Sequence, residues 1–140
     1  MMYLFFGLFF LTGKSPNWNA NRNIQADSLC PIKNCVIVRN DFNHVPGIYF
    51  TSTDSNEINV KSIVSGKVIS ITHSNDFNTV VIKKGNTAFC YFYLKNVLVK
   101  KNDIISSGKV IGNRQENGKL YIEVFKNSKR VDPLKYLNCR

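Results

Sequence analysis

From Cys35 onward, short apolar runs alternate with turn signals. The runs are Cys35–Val38, Gly47–Phe50, Val60–Val64, Lys67–Thr72, Thr79–Lys83, Ala88–Leu94, Lys109–Ile111, Lys119–Phe125 and a terminal Pro133–Leu137. Most are rich in Val, Ile, Phe and Tyr, the residues that suit a pleated, half-buried surface. Ser65-Gly66, Lys84-Gly85-Asn86, Ser107-Gly108 and Asn117-Gly118 break them at regular intervals. No segment holds a 3.6-residue apolar period long enough to predict a helix. The pattern predicts an all-β domain, a sandwich or a barrel.

Upstream the pattern changes. Met1 to Thr12 (MMYLFFGLFFLT) is almost wholly apolar. A membrane span needs roughly 20 such residues, so the stretch has the length of a signal-peptide core instead. No Lys or Arg precedes Lys14, and Ala20 and Ala26 are the nearest approaches to a cleavage site. Residues 1–12 are therefore read as an apolar leader that exports the chain, with an uncleaved anchor as the rival. Membrane contact is expected only through that leader. Residues 13–29, rich in Asn, Ser and Asp, read as a linker, and 30–140 as the domain.

An internal echo sharpens the fold. Ser65-Gly66-Lys67-Val68-Ile69 recurs as Ser107-Gly108-Lys109-Val110-Ile111, with the glycines 42 residues apart. Two similar hairpins at that spacing suggest a duplicated β unit.

Charge is uneven along the chain. Residues 61–140 hold fifteen basic and five acidic residues and so carry the whole net charge of +10. That excess points to an anionic partner or to solubility alone. No recognition helix or single-strand signature accompanies it, so specific nucleic-acid binding is not expected. The four cysteines, Cys30, Cys35, Cys90 and Cys139, suit an exported protein. They allow three pairings, and nothing in the sequence chooses among them.

The ordered frames resemble a known family. Val60-Lys61-Ser62-Ile63-Val64-Ser65-Gly66-Lys67-Val68 is similar to a V-x-A-x-x-x-G-x-V hairpin, and Asn78-Thr79-Val80-Val81-Ile82 to a G-N-x-V-x-I strand. The segment Val99 to Gly112 follows V-K-x-G-D-x-V-x-x-G-Q-x-I-G. Leu120-Tyr121-Ile122-Glu123-Val124 and then Val131-Asp132-Pro133-Leu134-Lys135-Tyr136-Leu137 follow L-H-F-E-V and x-D-P-x-x-Y-L. These are frames of the LytM/lysostaphin-type zinc endopeptidases, which cut peptidoglycan cross-bridges. The resemblance spans Gly47 to Leu137 and implies a compact β-sandwich built on a duplicated hybrid motif.

The same resemblance places the family's zinc site on residues of the wrong chemistry. Its H-x-G-x-D ligand positions fall on Val45 and Tyr49, and its H-x-H on Lys119 and Tyr121. The catalytic His of Y-x-H-L falls on Tyr93. Catalytic zinc needs about three His, Asp, Glu or Cys ligands and an open position for water. Val45 offers no lone pair, and a phenol with an ordinary pKa near 10 is a poor ligand at neutral pH. Lys119 adds a positive charge beside the cation. No cofactor is expected. His44, one place before the expected ligand, is a minor candidate, because a one-residue shift on a strand turns a side chain to the other face. His73 sits in a turn-like stretch and is expected to be exposed.

Strand alternation sets Lys119, Tyr121 and Glu123 on one face, with Leu120, Ile122 and Val124 on the other. The same rule gives Tyr91 and Tyr93 one face and sends Cys90, Phe92 and Leu94 to the core. In the family fold Tyr49, Tyr93 and Tyr121 would converge on the vacated metal position. Two readings stand side by side. The rings simply fill the hole, or they floor a groove with Lys119 at its edge. The expected function is a catalytically inactive relative that binds peptidoglycan or another anionic wall polymer, or regulates a partner hydrolase. The alternative is an active zinc peptidase with an unusual set such as His44, His73 and an acid. A biotinyl- or lipoyl-like carrier lacks its usual Met flanks, since Met1 and Met2 are the only methionines.

Overall fold

The structure, a computed structural model, describes residues 30–38 and 47–137. The leader, the linker, His44, Val45 and Cys139 lie outside the described residues. Among the described residues, ten strands form one antiparallel hydrogen-bonded network. They are β1 (Cys35–Val38), β2 (Ile48–Ser52), β3 (Asn59–Lys61), β4 (Gly66–His73), β5 (Asn78–Lys84), β6 (Thr87–Val97), β7 (Ile104–Ile105), β8 (Val110–Arg114), β9 (Leu120–Lys126) and β10 (Lys129–Val131). The main sheet runs β1-β2-β9-β6-β5-β4-β7, with β10 on β9. The second half of β6 pairs β8, and β8 pairs β3, which folds a smaller layer over the core.

Alternation explains the packing. Val68, Ile82, Phe89 and Val124 lie side by side on successive strands and turn inward, each almost fully buried. Val60, Ile63, Leu94 and Ile111 meet them from the smaller layer in the same cluster. The all-β fold follows the sequence pattern closely. Pro133–Tyr136 forms a 3-10 turn instead of an extended run, because Asp132 caps it by accepting from the Leu134 N–H and Pro133 opens it. The apolar run at Val60–Val64 keeps only Asn59–Lys61 as strand.

The echoed segments meet in space. Ser62 N–H donates to the Lys109 carbonyl and Gly108 N–H to the Ser62 carbonyl, both at 2.8 Å. Ser107 N–H donates to Ser65 Oγ at 2.9 Å. The two repeats thus brace each other across the core.

The register shifts at several pairings, and the shift between β5 and β6 bears on the site. Tyr91 pairs Val80 while Leu94 pairs Asn78, so Phe92 and Tyr93 together face one residue of β5. This is a β-bulge, and Tyr93 takes φ 71° within it. The expected facing of β6 is therefore corrected. Tyr91 is the core residue, Cys90 and Phe92 turn to the outer face, and only Leu94 points inward as expected. Tyr91 is satisfied inside, because its hydroxyl accepts from the Ile63 N–H at 3.0 Å and lies 3.4 Å from Ser62 Oγ.

Among the cysteines, Cys30 is disulfide-bonded, and Cys35 and Cys90 are free thiols. Cys35 Sγ lies 2.6 Å from Cys30 Sγ. Burial pushes the Cys90 thiol up to about 11, helped by the charge of Glu123, its neighbour across the strands.

Candidate functional site: an aromatic groove on the outer sheet face

Three adjacent strands bring the site together. Tyr49 on β2 pairs Tyr121 on β9, and Tyr121 pairs Phe92 on β6. Cross-strand partners share a face, so the three rings project from the outer side of the sheet. Tyr49 and Tyr121 lie 4.5 Å apart by ring centroid, and Phe92 and Tyr121 5.5 Å. The bulge swings Tyr93 toward them, to 6.3 Å from Tyr121, and Phe77 closes edge-on against Tyr93 at 5.6 Å. Asn78 holds the bulge by donating from Nδ2 to the Leu94 and Lys95 carbonyls. A tyrosine at positive φ is strained, by about 1–3 kcal/mol, and such strain collects at functional sites.

Gly47 fits the chain beneath this cluster. A Cβ there would sit 2.4 Å from the Ile122 carbonyl oxygen and 2.6 Å from Tyr121 Cζ. Glycine is required by this close approach of backbone and ring.

Beside the rings a cavity of about 280 Å³ is lined by Tyr49, Phe77, Tyr93, Gln115, Gly118 and Lys119. The Lys119 ammonium stands 5.8 Å over the Tyr49 ring, within cation–π range. The turn that supplies Gln115 and Gly118 is fastened by Arg114, which is 1% exposed. Its guanidinium donates to the carbonyls of Gly118 at 2.7 Å, Asp54 at 3.2 Å and Gln115 at 3.5 Å. Nε has no partner among the described residues.

The electrostatics disfavour phenolate. Tyr121 donates to Glu123 Oε2 at 2.9 Å. Burial first, and then this bond and the carboxylate charge, hold its pKa well above the ordinary value. Burial raises Tyr49 too, with Tyr93 and Glu123 adding to the shift.

Tyr49, Tyr93, Lys119 and Tyr121, singled out from sequence, are all brought together here, and Val45 and His44 lie outside the described residues. Sequence reasoning missed Phe77, Phe92, Gln115, Gly118 and Arg114. Phe92 was misplaced by assuming unbroken alternation. The turn residues Phe77, Gln115 and Gly118 carry no periodic signal, and Arg114 is a charge at an inward strand position.

Zinc does not fit these side chains. The two described ligand positions hold phenols that resist ionisation, one already bonded to a carboxylate. A lysine stands where a neutral imidazole would be needed. His73, the described histidine, lies on the exposed end of β4 with Nδ1 2.6 Å from Asn78 Oδ1. Among the described residues no three His, Cys, Asp or Glu side chains gather as a metal cluster.

Known structures share the fold. A chain of the SpoIIQ–SpoIIIAH pore-forming complex superposes with a TM-score of 0.64 at 17% identity, covering 80% of this chain and 92% of that one. Csd3 of Helicobacter pylori gives 0.62 at 20% identity, over 76% of this chain but only 32% of its own length. Lysostaphin of Staphylococcus simulans gives 0.55 at 24% identity, over 66% of this chain and 43% of its own. No curated protein sequence matches the chain. The model of Peptidase family M23 matches residues 43–133, most of the length, and the chain therefore belongs to peptidase family M23.

Proposed function

We propose that this is an exported, non-cleaving member of family M23. Its outer-face groove holds a fragment of cell-wall material, or docks a partner wall hydrolase and regulates it. One observation carries the reading. The positions that would hold and serve a catalytic metal form a packed tyrosine cluster, with Tyr121 bonded to Glu123 and a lysine over Tyr49. Such a surface can lie against a sugar ring or a peptide plane while its hydroxyls and Lys119 engage polar groups. It provides no activated water for amide hydrolysis.

The cavity, about 280 Å³, is just below the usual range of small-molecule pockets, about 300–1,000 Å³, and suits one sugar ring or a short peptide stretch. The likeness to a chain from a pore-forming complex of two proteins supports the partner side of the reading. Membrane attachment, if any, is assigned to the apolar leader. Among the described residues no helix is long and apolar enough to cross a membrane.

Co-sedimentation with purified wall sacculi tests the groove. The wild-type chain is expected in the pellet, and Tyr93→Ala and Lys119→Ala are expected to shift it to the supernatant. Release of soluble muropeptides by the wild-type chain would contradict the reading.

A further inference from the structure

Charge in the aromatic groove has one sign. Among the described residues that line the cavity, Lys119 is the one charged side chain, and its ammonium stands 5.8 Å over the Tyr49 ring. It has no carboxylate partner among the described residues. Glu123, on the same face of β9, is taken by the Tyr121 hydroxyl and by Arg130 at 4.0 Å. Glu116, on the turn beside the cavity, is exposed and does not line it. The Tyr49 phenol is held neutral by burial first and then by its neighbours. An anion entering here would meet a cation and no rival negative charge.

A second cation stands behind the same wall. The buried Arg114 guanidinium bonds to the carbonyls of Gly118, Gln115 and Asp54, not to a carboxylate. A buried cation without a counter-ion costs free energy, and an anion bound nearby offsets part of that cost. The turn that Arg114 fastens supplies Gln115 and Gly118 to the lining and leads directly into Lys119. The rings restrict which anion fits. Against Tyr49, Phe77 and Tyr93 a dianion would lose its hydration with one ammonium to replace it. Lys119 offers a point charge, not the planar fork that grips a phosphate at two oxygens. A single carboxylate matches both the charge and the walls. Tyr93, 41% exposed, leaves a ring open for the group next to it.

We infer that the groove recognises the free C-terminal carboxylate of a short wall peptide, with Lys119 pairing the carboxylate and the Tyr49 and Tyr93 rings covering the last peptide unit. This rests on the wall-binding reading above and names the chemical group that the groove selects. A sugar acid is disfavoured because its ring hydroxyls each need a hydrogen-bond partner on binding. Beyond the phenols and Lys119, the lining offers one side-chain amide, Gln115. A peptide end asks for less, since one planar amide and a small side chain can lie against the rings.

Titration of the full chain with N-acetyl-D-alanyl-D-alanine and with its C-terminal amide, followed by NMR chemical shifts, tests this. The acid should bind about fivefold more tightly than the amide, the size expected of one partly exposed ion pair. Lys119→Met should abolish that preference, and Lys119→Arg should keep it. Lys126→Met, which removes the same charge at the far end of β9, should leave it intact. Lys119 and Lys126 are both exposed, and thermal melting checks that each variant is folded. Equal binding of acid and amide would overturn the carboxylate assignment and leave wall binding standing. Tighter binding of N-acetylmuramic acid than of the peptide acid would overturn the peptide assignment. Binding of neither peptide would also overturn the inference, while pelleting with sacculi decides separately whether the groove holds wall material at all.

Discussion

Tyr121 donates its phenolic proton to Glu123 across 2.9 Å, on the face where a metal ligand would otherwise stand. Residues two apart on a strand share a face, so β9 itself supplies both partners. The carboxylate is thereby occupied by a hydroxyl on one side and by Arg130 on the other. A site of this kind is held together by its own polar groups and needs no cation to organise it.

That bond and its surroundings give a pH signature. Tyr49, Tyr91 and Tyr121 all ionise less readily in the folded chain than in the unfolded one, and Tyr91 is pushed up to about 12 by burial. Below the ordinary phenol pKa near 10, both states are protonated and these groups leave stability unchanged. Above it the unfolded chain releases protons that the folded chain keeps, so stability falls as pH rises. Denaturant midpoints measured from pH 8 upward should be flat with respect to these groups until about pH 10 and then drop. A midpoint unchanged to pH 11 would argue against three restrained phenols.

Tyr91 tests the corrected facing of β6. Its hydroxyl satisfies the buried Ile63 N–H. Tyr91→Phe should strand that donor and cost about 1–3 kcal/mol in urea unfolding. Tyr93→Phe, altering an exposed hydroxyl, should cost less than about 0.5 kcal/mol. Equal effects would return β6 to simple alternation.

Gly47 should be intolerant of any side chain. Its Cβ position is taken by the Ile122 carbonyl and the Tyr121 ring, and backbone cannot easily give way. Gly47→Ala is expected to destabilise by about 1–3 kcal/mol or more, with altered tyrosine fluorescence from the cluster. Gly85→Ala meets no atom and suffers only its positive φ, about 1–2 kcal/mol.

The strands were legible because Val, Ile and aromatic residues recur at period two between glycine turns. Strand β9 is the clearest case, with Leu120, Ile122 and Val124 all fully buried. Strands β7 and β10 were missed because two and three residues carry no period. Tyr93 was recognised as a site position from its frame, yet its bulge was invisible, since no glycine marks a positive φ there. The pairing of Lys67 with Lys83 needed the register, because the two are far apart in sequence and only hydrogen bonding between strands makes them neighbours.

Equilibrium zinc binding, measured against a competing chromophoric chelator, tests the central claim most directly. The wild-type chain should take up no stoichiometric zinc, whereas Val45→His/Tyr49→Asp/Lys119→His/Tyr121→His, which supplies the family's ligand types and its assisting His, should gain a site. One tightly held zinc per wild-type chain would contradict the account.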